Sequence, residues 1–268
     1  MAMDVKGTKL ANLINPEVLT DYINVKLMDR IKLSPLMVVN NDLVGVGGDT
    51  LTLPVYNKLG TGVEVAEGED IPVNQLQAQS RDVKVKKIGI GAQLSIEAII
   101  SSYGDPVNQV GKQLLDGIAE KIEKDAYAVL DTATLTHSCA GAFDKAELAK
   151  ALVKFGEEIE DEMFLFINPA TYAEIRANQD FVEIANGQAV ISGEVGVFMG
   201  CKVVVANRVG AQKAYVIKRG ALQLVMKRSV MVEDEKNIVN QTYRWVATEH
   251  YAVHMLDESK AIAITLQA

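Results

Sequence analysis

The chain has 268 residues, close to the upper limit for a single hydrophobic core, so it forms one large domain or two coupled lobes. With 49% hydrophobic and 23% charged residues it carries enough apolar surface to fold, which excludes a chain disordered by composition. A formal net charge of −8 excludes a surface dedicated to neutralising nucleic-acid phosphates.

The longest uncharged run is residues 132–143, twelve residues against the roughly 18 at which a bilayer-spanning helix comes into question, so no membrane segment is expected. Asp4, Lys6 and Lys9 lie where a signal peptide needs an apolar centre, so the chain is expected to stay where it is made. Cys139 and Cys201 are the only cysteines and form no CxxC pair; they allow at most one bridge and fit a reducing cytoplasm. No repeat of 20–50 residues and no low-complexity tract is present.

The first element is a helix. Asn15 can cap it, Pro16 suits its first turn, and Leu19, Ile23, Leu27 and Ile31 form an i,i+4 stripe that ends at Ser34-Pro35. This is an N-terminal arm. From Asp49, Leu51, Leu53 and Val55 alternate with Thr50, Thr52 and Pro54, as in a strand. The run RDVKVKKIGIGAQLSI alternates Val83 and Val85 with Lys84 and Lys86, loosens at Gly89 and Gly91, and is expected to pair with the first strand. Between them, residues 57–80 hold four acids and follow neither period. Loops of that length are rare inside compact domains, so this one is expected to be the tip of a long projecting hairpin that packs on another molecule; a surface loop is the plainer alternative.

Gly104-Asp105-Pro106 opens the longest helix. Its apolar face is Val107, Val110, Leu114, Ile118, Ile122, Ala126 and Val129. Its wet face is expected to carry Lys112, Asp116, Glu120, Lys121, Glu123, Lys124 and Asp125, with Glu120 and Lys124 paired. Phe143 to Leu148 has the form of a capping box, with Asp144 as cap, Glu147 reaching back and Phe143 touching Leu148; Gly156 closes that helix. MFLFIN reads as a buried strand and Asn168-Pro169 as a helix start, the beginning of an α/β lobe. CKVVVAN is a further strand, and KAYVIKRGALQLVMKR reads as two short strands around Gly220. From Val239 the odd positions are mostly apolar, giving one very long strand or two in line, about 55 Å in extent and placed beside the long helix. A last short strand covers residues 261–266.

Catalytic signals are weak. His250 and His254, with Glu249 beside them, would share a helix face, but their alternation is that of a strand, where four positions span about 13 Å, too far for one ion. His137 and Cys139 make half a zinc site with no second pair at metal spacing, which favours a surface or packing role. Gly45-Val46-Gly47-Gly48 precedes a strand instead of opening a helix, and no phosphate-binding glycine motif or GxSxG elbow occurs. The acids Glu157, Glu158, Glu160, Asp161 and Glu162 read as a solvated turn. No cofactor, metal or enzymatic activity is expected.

The order of arm, long hairpin, strut helix, α/β lobe and returning long strand resembles the major capsid proteins of tailed double-stranded DNA bacteriophages, the Hong Kong 97-like fold. The residues that carry the resemblance are TLTLPVY and RDVKVKKIGIGAQLSIEAI, the strut DPVNQVGKQLLDGIAEKIEKDAYAVLD, and GEVGVFMGCKVVVANRV followed by AYVIKRGAL. The resemblance implies an α+β fold divided into an N-terminal arm (1–40), an extended loop (41–100), a spine helix with peripheral domain (101–142), an axial domain (143–225), and a returning strand of the peripheral domain with the last strand (226–268).

It further implies a structural protein without catalytic residues that self-assembles into pentamers and hexamers of an icosahedral shell in the virion. The expected partners are other copies of itself, a separate scaffolding protein, the portal and a decoration protein. DNA would be enclosed without sequence-specific binding, in keeping with the negative charge. The loop would lie over a neighbouring subunit, with Lys58, Glu64, Glu67, Glu69, Asp70, Lys84 and Lys86 at the contact. An encapsulin-like nanocompartment enclosing a cargo enzyme is the alternative within the fold. An oligomeric cytoplasmic enzyme with a dimerisation arm is the alternative outside it, and would require a pocket joining His250 and Glu249.

Overall fold

A computed structural model describes residues 16–56, 62–66, 68, 70–71, 73, 75–76, 78–139, 141, 143–156, 161–176, 181–183 and 194–266. In chain order the elements are α1 (Pro16–Arg30), β1 (Met37–Asn40), β2 (Thr50–Tyr56), β3 (Ala78–Lys84), β4 (Lys86–Ser95), α2 (Ile96–Ser101), α3 (Pro106–Leu130), β5 (Leu135–Ser138), α4 (Lys145–Leu152), β6 (Met163–Ile167), α5 (Pro169–Arg176), β7 (Phe181–Glu183), β8 (Glu194–Phe198), β9 (Cys201–Val205), β10 (Lys213–Lys218), β11 (Leu222–Asn237), β12 (Thr242–Met255) and β13 (Ala261–Thr265). Among the described residues three sheets result: a four-stranded sheet β1-β11-β12-β4, a seven-stranded sheet β5-β13-β10-β6-β9-β8-β7, and the two-stranded hairpin β2-β3.

The long helix α3 starts where the sequence says. Asp105 accepts hydrogen bonds from the Val107 and Asn108 N–H groups at 3.2 and 3.1 Å, and Pro106, lacking an N–H, takes the first helical position. Its apolar stripe is buried from Val107 to Ala126, packed against Ile23 and Leu27 of α1 and against Trp245, Ala247 and Tyr251 of β12 in one continuous core. Two glycines allow the close approach. A methyl group on Gly111 would meet Leu19 Cδ2 at 3.0 Å, and one on Gly117 would meet the end of the Ile90 side chain at 2.4 Å.

The seven-stranded sheet is buried on both faces, which is why β6 is apolar at all five positions. Phe164, Phe166, Tyr215 and Ile217 face the α3 core, while Leu165, Ile167, Val203 and Val216 face a second core under α4. The sheet also draws in distant pieces of chain, since β5 and β13 pair with each other in parallel and β13 pairs with β10.

Several expectations are corrected. The alternating run after Ser80 is two strands. Its first half pairs with β2, but Val85 turns inward, its N–H donating to the Asp49 carbonyl at 2.8 Å, and the second half crosses to pair with β12 from Lys86↔Tyr251 to Ser95↔Thr242. The strand after Gly220 is not short: β11 runs sixteen residues, because pairing with β12 carries it through charged positions that interrupt its apolar pattern. Val239 lies in the exposed turn before β12, so the long strand begins at Thr242. On α3 the i,i+4 pair is Lys121 with Asp125 at 2.8 Å, and Glu120 instead faces Arg208 at 3.8 Å. Asp144 does cap α4, accepting from the Glu147 N–H at 2.9 Å, but the Glu147 carboxylate turns to His137 and Lys150.

Glu123 departs most from the expected wet face, being fully buried. One carboxylate oxygen accepts from the Lys32 backbone N–H at 2.6 Å and the other pairs with Arg208. The Lys32 ammonium in turn donates to the Val205 carbonyl at 2.6 Å, so arm, strut helix and seven-stranded sheet meet at this point. Removing the carboxylate leaves the Lys32 N–H without its acceptor, while Arg208 is about one-third exposed and keeps access to water, so the loss is about 1–3 kcal/mol. Glu123→Ala should therefore lower subunit stability by that order in urea unfolding, whereas Glu120→Ala, at an exposed site, should cost less than about 1 kcal/mol. Equal effects of the two variants would contradict this assignment.

Candidate assembly surface

The hairpin β2-β3 is held by seven consecutive antiparallel positions, Thr50↔Lys84 to Tyr56↔Ala78. Thr52 Oγ1 adds a 2.7 Å bond to Asp82 Oδ1 across the two strands. Its root is fixed. Val83 and Val85 are buried with Leu43, Val225 and Ala252 in a small separate core on the side of the four-stranded sheet away from α3, and Leu51 and Leu53 pack against it. Beside this core, Arg81 donates to the Met255 carbonyl at 2.9 Å and pairs with Glu258 at 2.5 Å; Thr134 donates to the same carboxylate. Those bonds hold the Glu258 carboxyl below the usual range.

Beyond the root, every described residue of the connecting segment is exposed. Val63, Ile71, Val73 and Leu76 show large apolar side chains, Val73 at 93% exposure, interspersed with Glu64 and Asp70. Apolar groups of this size gain about 1.5–3 kcal/mol each when fully buried, so a row of them held away from its own core is suited to packing on another molecule.

The residues expected at the contact divide into three groups. Glu64 and Asp70 are exposed on the segment, while Lys58, Glu67 and Glu69 lie outside the described residues. Lys84 and Lys86 are engaged within the chain. Lys84 pairs with Asp49 at 3.4 Å. Lys86 pairs with Asp125 of α3 at 2.6 Å, its ammonium 5.8 Å from the Tyr251 ring centre. Burial pulls the Asp125 carboxyl upward, but hydrogen bonds from Lys121, Lys86 and Tyr251 outweigh it and hold the group below its ordinary value. Arg81, Thr134 and Glu258, which anchor the root, had no signal in the sequence, because Arg81 meets a partner 177 positions away.

The histidines near the chain end do not converge on a centre. His250 and His254 lie on the face of β12 turned towards the small core, and burial lowers the pKa of both, reinforced at His250 by Arg228, Lys87 and Lys227 and at His254 by Arg81. The groove of about 790 Å³ that reaches His250 is lined by Asn41, Val44, Met226, Lys227 and Arg228 among others, and does not include Glu249. Glu249 points to the opposite face, fully buried, with neither carboxylate oxygen meeting a hydrogen-bond partner among the described residues. Burial pushes its carboxyl up to about 7. The pocket that an enzyme would need here is not formed by these residues.

The sequence matches the family described as phage capsid protein over residues 78–264. The chain belongs to that family. It is 33% identical over 262 residues to the major capsid protein of Staphylococcus phage phiMR11, covering 96% of this chain and 95% of the relative. Among solved structures, the capsid of cyanophage P-SCSP1u superposes with a TM-score of 0.68 at 13% identity over 88% of both chains. The virus-like particle from Pyrococcus furiosus superposes with a TM-score of 0.62 at 12% identity, over 92% of this chain and 98% of the other. The protein is thus a major capsid protein of the Hong Kong 97-like fold, a structural subunit of the virion shell and not an enzyme. Among the described residues no helix of this capsid protein is long and apolar enough to cross a membrane.

Glu249 generates a pH-dependent expectation for the capsid protein. Its folded-state pKa lies above the ordinary 4.5, so the folded chain binds this proton more tightly than the unfolded chain. The stability is fully present below about 4.5 and is lost as pH rises through about 7, by an amount on the order of 3 kcal/mol. Glu249→Gln keeps the shape without the charge. It should match the parent subunit in urea unfolding at pH 5 and exceed it by that order at pH 8; parallel curves at both pH values would exclude a buried, unpartnered carboxyl.

Proposed function

We propose that the chain closes its shell by laying the segment between β2 and β3 over a neighbouring subunit. The observation that carries this is the contrast within the hairpin: a root fixed by Val83, Val85 and Arg81, and distal residues that expose both apolar and acidic side chains. On this reading the exposed apolar groups supply the contact and Glu64, Glu67, Glu69 and Asp70 meet basic groups of the neighbour. Lys58, Lys84 and Lys86 belong to the same contact, Lys84 and Lys86 while also pairing with Asp49 and Asp125 within the chain.

The repeating units are pentamers and hexamers of an icosahedral shell. Residues 1–40 serve as the arm, 41–100 as the extended loop, 101–142 as the spine helix of the peripheral domain, 143–225 as the axial domain, and 226–268 as the returning strand of the peripheral domain with the last strand. The shell encloses double-stranded DNA without sequence-specific contacts, consistent with the net charge of −8. A separate scaffolding protein directs assembly, the portal occupies one vertex and a decoration protein binds outside. The cargo-enclosing alternative has less support, since the virus-like particle shares the fold at 12% identity whereas the relative at 33% identity is a phage major capsid protein.

Each exposed ion pair contributes about 0–1 kcal/mol, so reversing one of Glu64, Glu67, Glu69 or Asp70 should leave particles intact while reversing all four should reduce their yield. Replacing residues 60–79 by a tight turn should leave a folded chain with unchanged circular dichroism that no longer forms closed particles in electron microscopy. Normal particles from the shortened chain would show that the segment takes no part in closure.

A further inference from the structure

Among the described residues outside the hairpin, one cluster of side chains has the chemistry of a ligand site. His137 lies on β5 and Cys139 directly after it. Residues two apart on an extended chain share a face, and the Cys139 N–H extends the ladder by donating to the Thr265 carbonyl at 2.9 Å. Asp144 caps α4, and the first turn of that helix brings Glu147 back onto the pair. One imidazole nitrogen, the Cys139 sulfur and one Glu147 oxygen all lie within 4.8 Å of one another. The sequence showed two of these residues as half a site; α4 supplies the third.

We propose that His137 Nε2, Cys139 Sγ and Glu147 Oε2 bind a divalent transition-metal ion of the zinc class, with water as the fourth ligand. The donor set suits that class: a thiolate, an imidazole and a carboxylate favour zinc or cobalt over magnesium or calcium, which prefer oxygen alone. Metal–ligand bonds of about 2.0–2.3 Å in a tetrahedron require donor atoms roughly 3.5 Å apart, so the 3.0 Å His137–Glu147 contact needs to open only slightly. The second Glu147 oxygen is held by Lys150 at 2.7 Å, which orients the carboxylate and leaves Oε2 directed at the cluster. Cys139 is fully buried and the other two side chains are about one-tenth exposed, so the site is enclosed yet reachable from one side.

Proton balance follows from the present partners. Glu147 Oε2 accepts the hydrogen on His137 Nε2; in the metal-bound state the ring carries its hydrogen on Nδ1 and offers the Nε2 lone pair. Burial and the adjacent carboxylates push the Cys139 thiol up to about 11, so at neutral pH its proton must leave as the metal–sulfur bond forms. One proton, that of the Cys139 thiol, is released per ion bound. Such an ion would tie the edge strand β5 to α4 across a turn.

The test uses the full chain, stripped with a chelator and titrated with cobalt(II). The expected result is one ion per chain, with a thiolate-to-cobalt charge-transfer band and visible bands of tetrahedral intensity, displaced by zinc. Cys139→Ser should abolish the charge-transfer band, and His137→Gln and Glu147→Gln should each weaken binding by more than about 100-fold, beyond the 10–100-fold typical of residues that only orient a ligand. Lys150→Ala, which touches only the outer oxygen, should weaken it less. Circular dichroism establishes that each variant is folded. Should a variant fail to fold, the parent chain still decides: absence of a charge-transfer band with cobalt in excess overturns the proposal. Stoichiometric binding that survives in folded Cys139→Ser with an unchanged spectrum overturns it equally.

Discussion

The joint at Glu123 is the constraint on which the arrangement of the subunit depends. α3 is amphipathic, and hydrophobic packing alone would let it slide or rotate along an apolar seam, since burial is not directional. A buried carboxylate with one oxygen committed to the Lys32 N–H and the other to Arg208 admits a single register of arm, strut and sheet. The energetic gain from such a pair over apolar packing is small or negative; the cost of breaking it is large. This asymmetry turns a loose contact between three parts into a defined one, and a subunit that must repeat one geometry around a shell needs that definition.

The same logic governs the arm helix. β11 bulges between Met226 and Met231, where its backbone loses register with β12. The side-chain amide of Asn24 fills the gap, donating to the Val230 carbonyl at 3.0 Å and accepting from the Val230 N–H at 3.1 Å, while Thr20 Oγ1 accepts from the Val232 N–H at 3.0 Å. Strand groups that would otherwise be buried without partners are satisfied by a helix. Packing of Ile23 and Leu27 supplies the gain, and the two polar side chains set the position.

Much of this was legible in the sequence because it is local. The Asp105-Pro106 cap, the stripe from Val107 to Ala126, the Gly156 stop and the alternation of β2 and β12 each depend on residues within a few positions of one another. What escaped depends on partners far along the chain. Glu123 reads as a solvated acid until Lys32 and Arg208 are folded against it. β11 reads as short because Glu233 to Lys236 look like a loop until β12 lies alongside, and the crossing at Val85 is visible only once β4 has a different neighbour from β3. Charge and length mark the segment after β2, but nothing in the sequence reveals that Lys86 is already occupied by Asp125 or that Arg81 anchors the root.

The strand orders carry a consequence for synthesis. β12 sits between β11 and β4, and β13 between β10 and β5, so both large sheets are completed by residues after 241. While a ribosome is still short of that point, β4 and β5 are open edges separated from their eventual partners by well over a hundred residues. Pairings this remote form slowly and leave strand edges available to other chains in the meantime. A chain released early would lack β12 against α3 and the Glu258 anchor of the hairpin, and could not present a finished surface to its neighbours. Synthesis through β13 is therefore a checkpoint written into the topology: only a subunit extended past that strand completes both sheets.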